Sequence, residues 1–119
     1  MGRYRFSLDG AIEFGWPGIR ARAYNSRDEF ERASAALFEV DERHGRVRNR
    51  KSDRIYLVLE GSGEFLIEDE VVAVRATDVV IVPRNTTYDY HGKMKLFLVH
   101  SPAYDPATDE DLERLQSPG

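Results

Sequence analysis

Apolar positions along the chain fall in short blocks. "RIYLVLEG" (54–61), "EFLIED" (64–69), "EVVAVRA" (70–76), "DVVIVP" (78–83) and "KLFLVHS" (95–101) are rich in Val, Ile, Leu and aromatic residues and are broken by Gly, Asp or Pro. Branched and aromatic side chains suit a pleated, half-buried surface, and blocks spaced roughly ten residues apart predict an all-β sandwich or barrel. "AALFEV" (35–40) reads as a further strand, and "GAIEFGWPGIRARAY" (10–24) as one or two, broken at Gly15, Pro17 and Gly18. "EGSGEF" puts Gly61 and Gly63 where a tight hairpin needs unusual dihedrals. "VPRNTTY" closes a strand at Pro83 and turns through Asn85.

Helical signal is sparse. Ser26 and Glu29 have capping-box spacing, enough for one turn before "AALFEV". In "PATDEDLERLQ" (106–116), Thr108 can cap, acids follow it, and Leu112 and Leu115 share a face, which predicts a short C-terminal helix on the barrel.

One face of "RIYLVLEG" carries Arg54, Tyr56 and Val58, and the other Ile55, Leu57 and Leu59. A strand open to water on one side alternates apolar with polar. Here both faces are apolar beyond Arg54. One looks into the barrel, and the other calls for a cover, which predicts a homodimer.

Composition narrows the function classes. The 119 residues suit one domain (1–119), without repeats or low-complexity segments, and carry a net charge of -4. That balance argues against a nucleic-acid or membrane-surface partner. With no cysteine, disulfides, thiolate zinc sites and thiol catalysis are excluded. The N-terminus "MGRYRFSLDG" lacks an apolar core of signal-peptide length, so a cytoplasmic location is expected. The charge is uneven, however: Arg43, Arg46, Arg48, Arg50, Lys51 and Arg54 crowd into one short stretch.

The segments "SDRIYLVLEGSGEF" and "ATDVVIVPRNTTYDY" resemble the two motifs of the cupin superfamily, specifically its small single-domain members. Gly61 falls on the closing glycine of the first motif, and Asp78 and Pro83 are in register with the second. The likeness spans about residues 36–102 and implies a jelly-roll β-barrel with a pocket between two sheets. It also implies which positions would hold a divalent metal: Arg54 at the glutamate, Arg48 and Arg50 at the histidines under the shorter motif spacing (Val47 and Asn49 under the longer), and Tyr88 at the last histidine. Thr77 and Asn85 replace two motif glycines. Guanidinium offers only donors and cannot coordinate a cation. The resemblance thus predicts the fold without the family's usual metal, and no cofactor is expected.

On one strand, Arg48, Arg50 and Arg54 share a face. Facing the pocket they would hold a carboxylate or phosphate; facing solvent they are a basic rim, and Arg54, beside the buried strand, is the most inward of the three. Tyr56 follows it inward by alternation. Tyr88 is a ligand-binding candidate and, beside a cation, a candidate acid; Tyr90 reads as packing. His44, His91 and His100 lie off the family's ligand positions. His44 with Asp41 or Glu42 leaves a relocated metal site open, and His100 can serve as an acid or base. The expected ligand is a small anionic or polar molecule (carboxylate, sugar or phosphate), bound without metal in a non-catalytic or sensing role. The alternative is a metal-independent isomerase, epimerase or lyase acting on a sugar or carboxylic acid.

Overall fold

A computed structural model describes residues 4–112. Its strands are β1 (Ile12–Trp16), β2 (Ile19–Ala23), β3 (Ser34–Val40), β4 (Val47–Asn49), β5 (Asp53–Ile67), β6 (Glu70–Arg75), β7 (Val79–Val82), β8 (Tyr88–Ser101) and β9 (Asp109–Asp111). All pairings are antiparallel. One sheet runs β1-β2-β3-β8-β4-β9, while β5 lies along β8 and carries β6 and β7 on its other edge. The result is a curled sheet, a half-barrel.

Two long strands produce the curl. β5 and β8 pair from Asp53↔Ser101 to Ile67↔Tyr88, with a bulge between Val58 and Glu60. The expected hairpin at "EGSGEF" is not there; the strand continues through it and turns at Glu68 and Asp69. The glycines serve close approach instead. A Cβ on Gly61 (φ 82°) would stand 2.1 Å from the Lys93 carbonyl oxygen, and one on Gly63 would stand 2.3 Å from that of His91. Only glycine lets the two backbones cross so tightly.

Alternation then sorts the side chains. Ala36, Leu98 and Tyr56 form one inward row across β3, β8 and β5, and Ser34, His100 and Arg54 form the next. Tyr56, Val58, Phe65, Tyr90, Leu96 and Leu98 make the centre of the core. The other face of β5 and β7 stays open: Ile55 is 41%, Val79 57% and Ile81 62% exposed.

Thr77 (φ 78°) and Asn85 (φ 65°) both adopt the left-handed conformation that favours glycine. These are the two glycine positions of the second family motif, which supports the register of the resemblance there.

The C-terminal helix is a correction. Pro106–Thr108 form a single 3-10 turn, started by Asp105, whose side chain accepts from the Ala107 N–H. Asp109–Asp111 then pair with β4 as a strand; residues 113–116 of that segment lie outside the described residues. The free edge of β4 captures the chain before a helix can propagate. Glu29 does accept from the Ser26 N–H (Oε1, 3.0 Å), the glutamate half of a capping box, but around an isolated turn. Among the described residues no helix is long and apolar enough to cross a membrane.

Candidate active site

At the end of the half-barrel marked by Ser34, His100 and Arg54 lies a cavity of about 560 Å³. β1 and β3 give it an aromatic wall. Phe14 and Trp16 share a face of β1 and meet Phe38 of β3 edge-on, at centroid distances of 6.0 and 6.2 Å. The polar floor holds Arg54, Tyr56, His100 and Asp109, and the loops after β2 and β8 form the mouth. A shallower groove of about 710 Å³ lies at the opposite end. Its charges pair across open solvent, as Arg20 does with Glu39 (3.5 Å) and Lys93 with Asp41 (3.8 Å), so it offers no enclosed chemistry.

Arg54 organises the floor. It is 4% exposed and donates through one terminal nitrogen to the Tyr88 hydroxyl and through the other to Asp109 Oδ1. Burial opposes its charge, but Asp109 and the hydrogen bond to the Tyr88 hydroxyl favour it, and the guanidinium stays protonated. The Tyr56 and Tyr88 hydroxyls are 2.6 Å apart. Burial pushes both phenols up, and for Tyr88 the nearby Arg54 only partly pulls back. That reverses the expectation that a cation would make Tyr88 a ready acid: here desolvation wins, and the phenols are neutral hydrogen-bonding groups.

His44 completes the wall. Its ring lies 4.6 Å from that of Tyr90 and 5.3 Å from that of Trp16, and Trp16 Nε1 donates to the His44 carbonyl (2.9 Å). Nδ1 is 2.7 Å from the Gly45 carbonyl oxygen. A carbonyl can only accept, so Nδ1 carries the proton and Nε2 keeps its lone pair. Gly45 has φ 107°, a conformation open to glycine that aims its carbonyl back at the ring. Burial, opposed by the Gly45 bond and aided by Arg54, lowers the His44 pKa, so the neutral imidazole prevails at pH 7. His100 is neutral for similar reasons, burial first, then Arg54 and His44.

Asp89, 3% exposed, holds this segment in place. Its Oδ1 accepts from the N–H groups of Gly45 (2.9 Å) and Tyr90 (2.7 Å), and its Oδ2 from Arg43 Nε (2.6 Å).

Of the residues singled out in the sequence, Arg54, Tyr56 and His100 line the cavity, and Tyr88 lies buried just behind Arg54 and Tyr56. Arg48 and Arg50 are not brought to it. Both side chains pair with Glu110 of β9, Arg48 at 2.8 Å, and Arg50 remains largely exposed. The inward positions of β4 are Val47 and Asn49, those of the longer motif spacing. Asn49 turns its Oδ1 to the N–H groups of Lys51 (2.9 Å) and Ser52 (2.7 Å).

Sequence reasoning did not assign Phe14, Trp16, Phe38 and Asp109 to the site, and gave His44 only a metal role. The spacing of Ile12, Phe14 and Trp16 on one strand face was a usable signal for the wall. Asp109 gave none, since it meets Arg54 only across the folded chain.

A curled antiparallel sheet with its site between the walls is the fold of the cupin superfamily, and this chain has that fold. It is similar to the solved structures of Streptomyces Pac13, described as a unique nucleoside dehydratase. A Tyr-to-Phe variant of Pac13 with uridine is 28% identical, with a TM-score of 0.85, over 92% of this chain and 90% of that one. KdgF from a Halomonas species is 18% identical with a TM-score of 0.76, over 90% of this chain and 99% of that one. A variant of Bacillus subtilis oxalate decarboxylase is 14% identical with a TM-score of 0.85, over 99% of this chain but 35% of that one. The last two likenesses show the fold alone. No family model and no curated protein matches the chain.

The side chains at the family's metal positions do not fit a divalent cation. A guanidinium stands at the glutamate position, Val47 and Asn49 at the histidines, and a buried phenol at the last histidine. Among the described residues no group of three or more His, Asp or Glu side chains could hold a metal ion.

Proposed function

We propose that the cavity binds a nucleoside-like molecule and that His44 performs proton transfer on it, a metal-independent lyase reaction of the dehydratase type. The carrying observation is the fixed tautomer of His44: a neutral imidazole with Nδ1 tied to Gly45 and Nε2 available as a base beside an aromatic wall. Loss of water requires a C–H proton to reach a base, a C=C bond to form, and a departing hydroxyl to gain a proton. Imidazole is too weak a base for an unactivated C–H, so the reactive substrate carries a group that acidifies the carbon, of which an adjacent carbonyl is the simplest. The protonated His44 can then hand its proton to the departing hydroxyl, which suits a site whose phenols are weak acids.

Pac13 supports this reading. Structures of it with uridine carry substitutions of one histidine and of two tyrosines 34 positions apart. His44, Tyr56 and Tyr90 stand in the same order here, with the tyrosines at the same separation.

Trp16 is the chain's only tryptophan and lines the cavity, so its fluorescence reports occupancy. Uridine should give a saturable change, and wild type but not His44→Gln should release water from a nucleoside oxidised to an aldehyde, read by mass spectrometry. No saturable uridine response would refute the nucleoside assignment. Saturable binding with no turnover of any oxidised nucleoside would favour the binding-only role, which the neutral phenols also suit. We also propose that a second copy of the chain covers the outer apolar face.

A further inference from the structure

We infer that the cavity selects an uncharged, hydroxyl-bearing ligand and turns away the phosphorylated or carboxylated form of the same molecule. This selectivity presupposes the nucleoside-type cavity proposed above and narrows it from polar or anionic ligands to neutral ones.

The charges of the cavity carry the inference. Its lining includes two arginines, Arg27 and Arg54, against three aspartates, Asp28, Asp105 and Asp109. Both arginines are already paired. Arg54 donates to Asp109 and Tyr88, and Arg27 Nη1 lies 2.6 Å from Asp105 Oδ2 at the mouth. An anion has no spare cation to meet. The Arg54 Nε has no partner among the described residues but is buried out of reach, so an anion could approach the guanidinium only by displacing Asp109, leaving a partly buried carboxylate without its partner, an outcome far costlier than any surface exchange. At the mouth it would meet Asp28 and Asp105 before Arg27 could turn to it.

A hydroxyl meets no such barrier, because it donates and accepts. Asp109 Oδ1 takes both Arg54 and the Asn49 amide (3.3 Å), while Oδ2 has no partner among the described residues. That leaves an acceptor for an incoming O–H. His44 offers the lone pair of Nε2, its Nδ1–H being held by Gly45, and neutral His100 has one ring N–H and one lone pair. A phosphate dianion only accepts, so it cannot use Asp109 and is repelled by it. The Arg54–Asp109 pair therefore works as a charge-balanced clamp.

The test uses Trp16 fluorescence with inorganic phosphate as probe, and with uridine and uridine monophosphate as a matched pair. Wild type should show no saturable response to phosphate at tens of millimolar, and should bind uridine at least about ten-fold tighter than its monophosphate, about 1.4 kcal/mol. Asp109→Asn keeps an acceptor oxygen but frees Arg54 from its counter-charge. It should gain a saturable phosphate response and lose most of the preference for uridine. Asp105→Asn at the more open mouth should shift the preference the same way, less strongly, and keeps the test alive if Asp109→Asn fails to fold. A saturable phosphate response in wild type, or monophosphate binding as tight as uridine, would overturn the inference. So would folded variants with unchanged selectivity. If uridine does not bind at all, the nucleoside assignment fails, while the phosphate arm still decides the charge selection.

Discussion

The imidazole of His44 lies over the ring of Tyr90, with centroids 4.6 Å and planes 30° apart, and the His44 backbone N–H donates to the Tyr90 carbonyl (2.8 Å). The base is thus tied to β8 twice, by its ring and by its backbone. Asp89 makes that tie rigid, because one carboxylate satisfies Gly45, Tyr90 and Arg43 together. Asp89→Ala should leave the buried Tyr90 N–H and the half-buried Gly45 N–H unpaired, at a cost of about 1–3 kcal/mol for the buried one and less for the other. It should also release the Gly45 carbonyl from Nδ1. The expected result is a folded protein whose turnover drops at least about ten-fold, with the His44 pKa moved from its native value in an NMR titration. Asp89→Asn, which keeps an oxygen acceptor, should retain more of the activity. If Asp89→Ala lowers stability but leaves both turnover and the His44 titration unchanged, Asp89 only supports the fold.

Acid should weaken the fold through the buried histidines. The His100 pKa lies well below its ordinary value of 6.5, burial being the main cause. Above pH 6.5 this histidine is neutral both folded and unfolded, so it contributes no pH dependence there. Below 6.5 the unfolded chain takes up the proton first, and stability falls until the folded pKa is passed. The slope for one such group is at most about 1.4 kcal/mol per pH unit. Urea midpoints between pH 7.5 and 5 should therefore decline, and His100→Gln should flatten that decline. A variant curve parallel to wild type would assign the acid sensitivity elsewhere.

Thr77 is a β-branched residue at φ 78°, in a turn where its N–H donates to the Val58 carbonyl (2.7 Å). Such a conformation costs on the order of 1–3 kcal/mol, more than the entropy lost by placing glycine there. Thr77→Gly should raise the melting temperature. Gly61→Ala should lower it sharply, because the new Cβ meets the Lys93 carbonyl. Equal and small effects from both would mean the backbone relaxes freely at these two positions.

The fold was legible in the sequence because strand alternation and turn residues are local signals. Arg54, Tyr56 and Val58 fell on the inward face as alternation requires, and Thr77 and Asn85 held the glycine positions of the motif. What was missed is nonlocal. Gly61 and Gly63 look the same in sequence whether they turn a hairpin or admit a neighbouring backbone, and only the partner strand β8 decides. β9 was read as a helix because its acids suit a helix start, yet the free edge of β4 offered better hydrogen bonding. For Arg48 and Arg50 the sequence left inward and outward facing open; the three residues between β4 and β5 (50–52) shift the parity, so Val47 and Asn49 point inward and the two arginines do not.

That parity has a measurable consequence. Arg54 is buried, and its loss would strand Asp109 without a counter-charge and leave a gap beside Tyr88. Removing one partner of a buried pair costs about 3–5 kcal/mol, so Arg54→Ala should lower the urea midpoint severely and abolish the Trp16 response to uridine. The Arg50 side chain is 68% exposed. Arg50→Ala should leave both the midpoint and the uridine response near wild type. Comparable losses of binding from the two variants would mean that the basic stretch acts as a diffuse charge, with no special place for Arg54.

The outer face of the sheet offers the last test. Ile55 pairs with Ile81 on one side and Val99 on the other, and Leu57 with Val79 and Phe97, so apolar side chains run across three neighbouring strands. Ile55, Val79 and Ile81 are each more than 40% exposed. A continuous apolar surface of this kind favours burial against a matching one. A second copy supplies that match through a two-fold axis, since the same rows then meet themselves. Sedimentation velocity at micromolar concentration should show a dimer. Ile81→Asp should convert it to a monomer while leaving the uridine response of Trp16 intact, because the substitution points away from the cavity. A wild-type protein that sediments as a monomer across the accessible concentration range would refute the dimer, and the exposed rows would then have to be covered by a different partner or remain open to water.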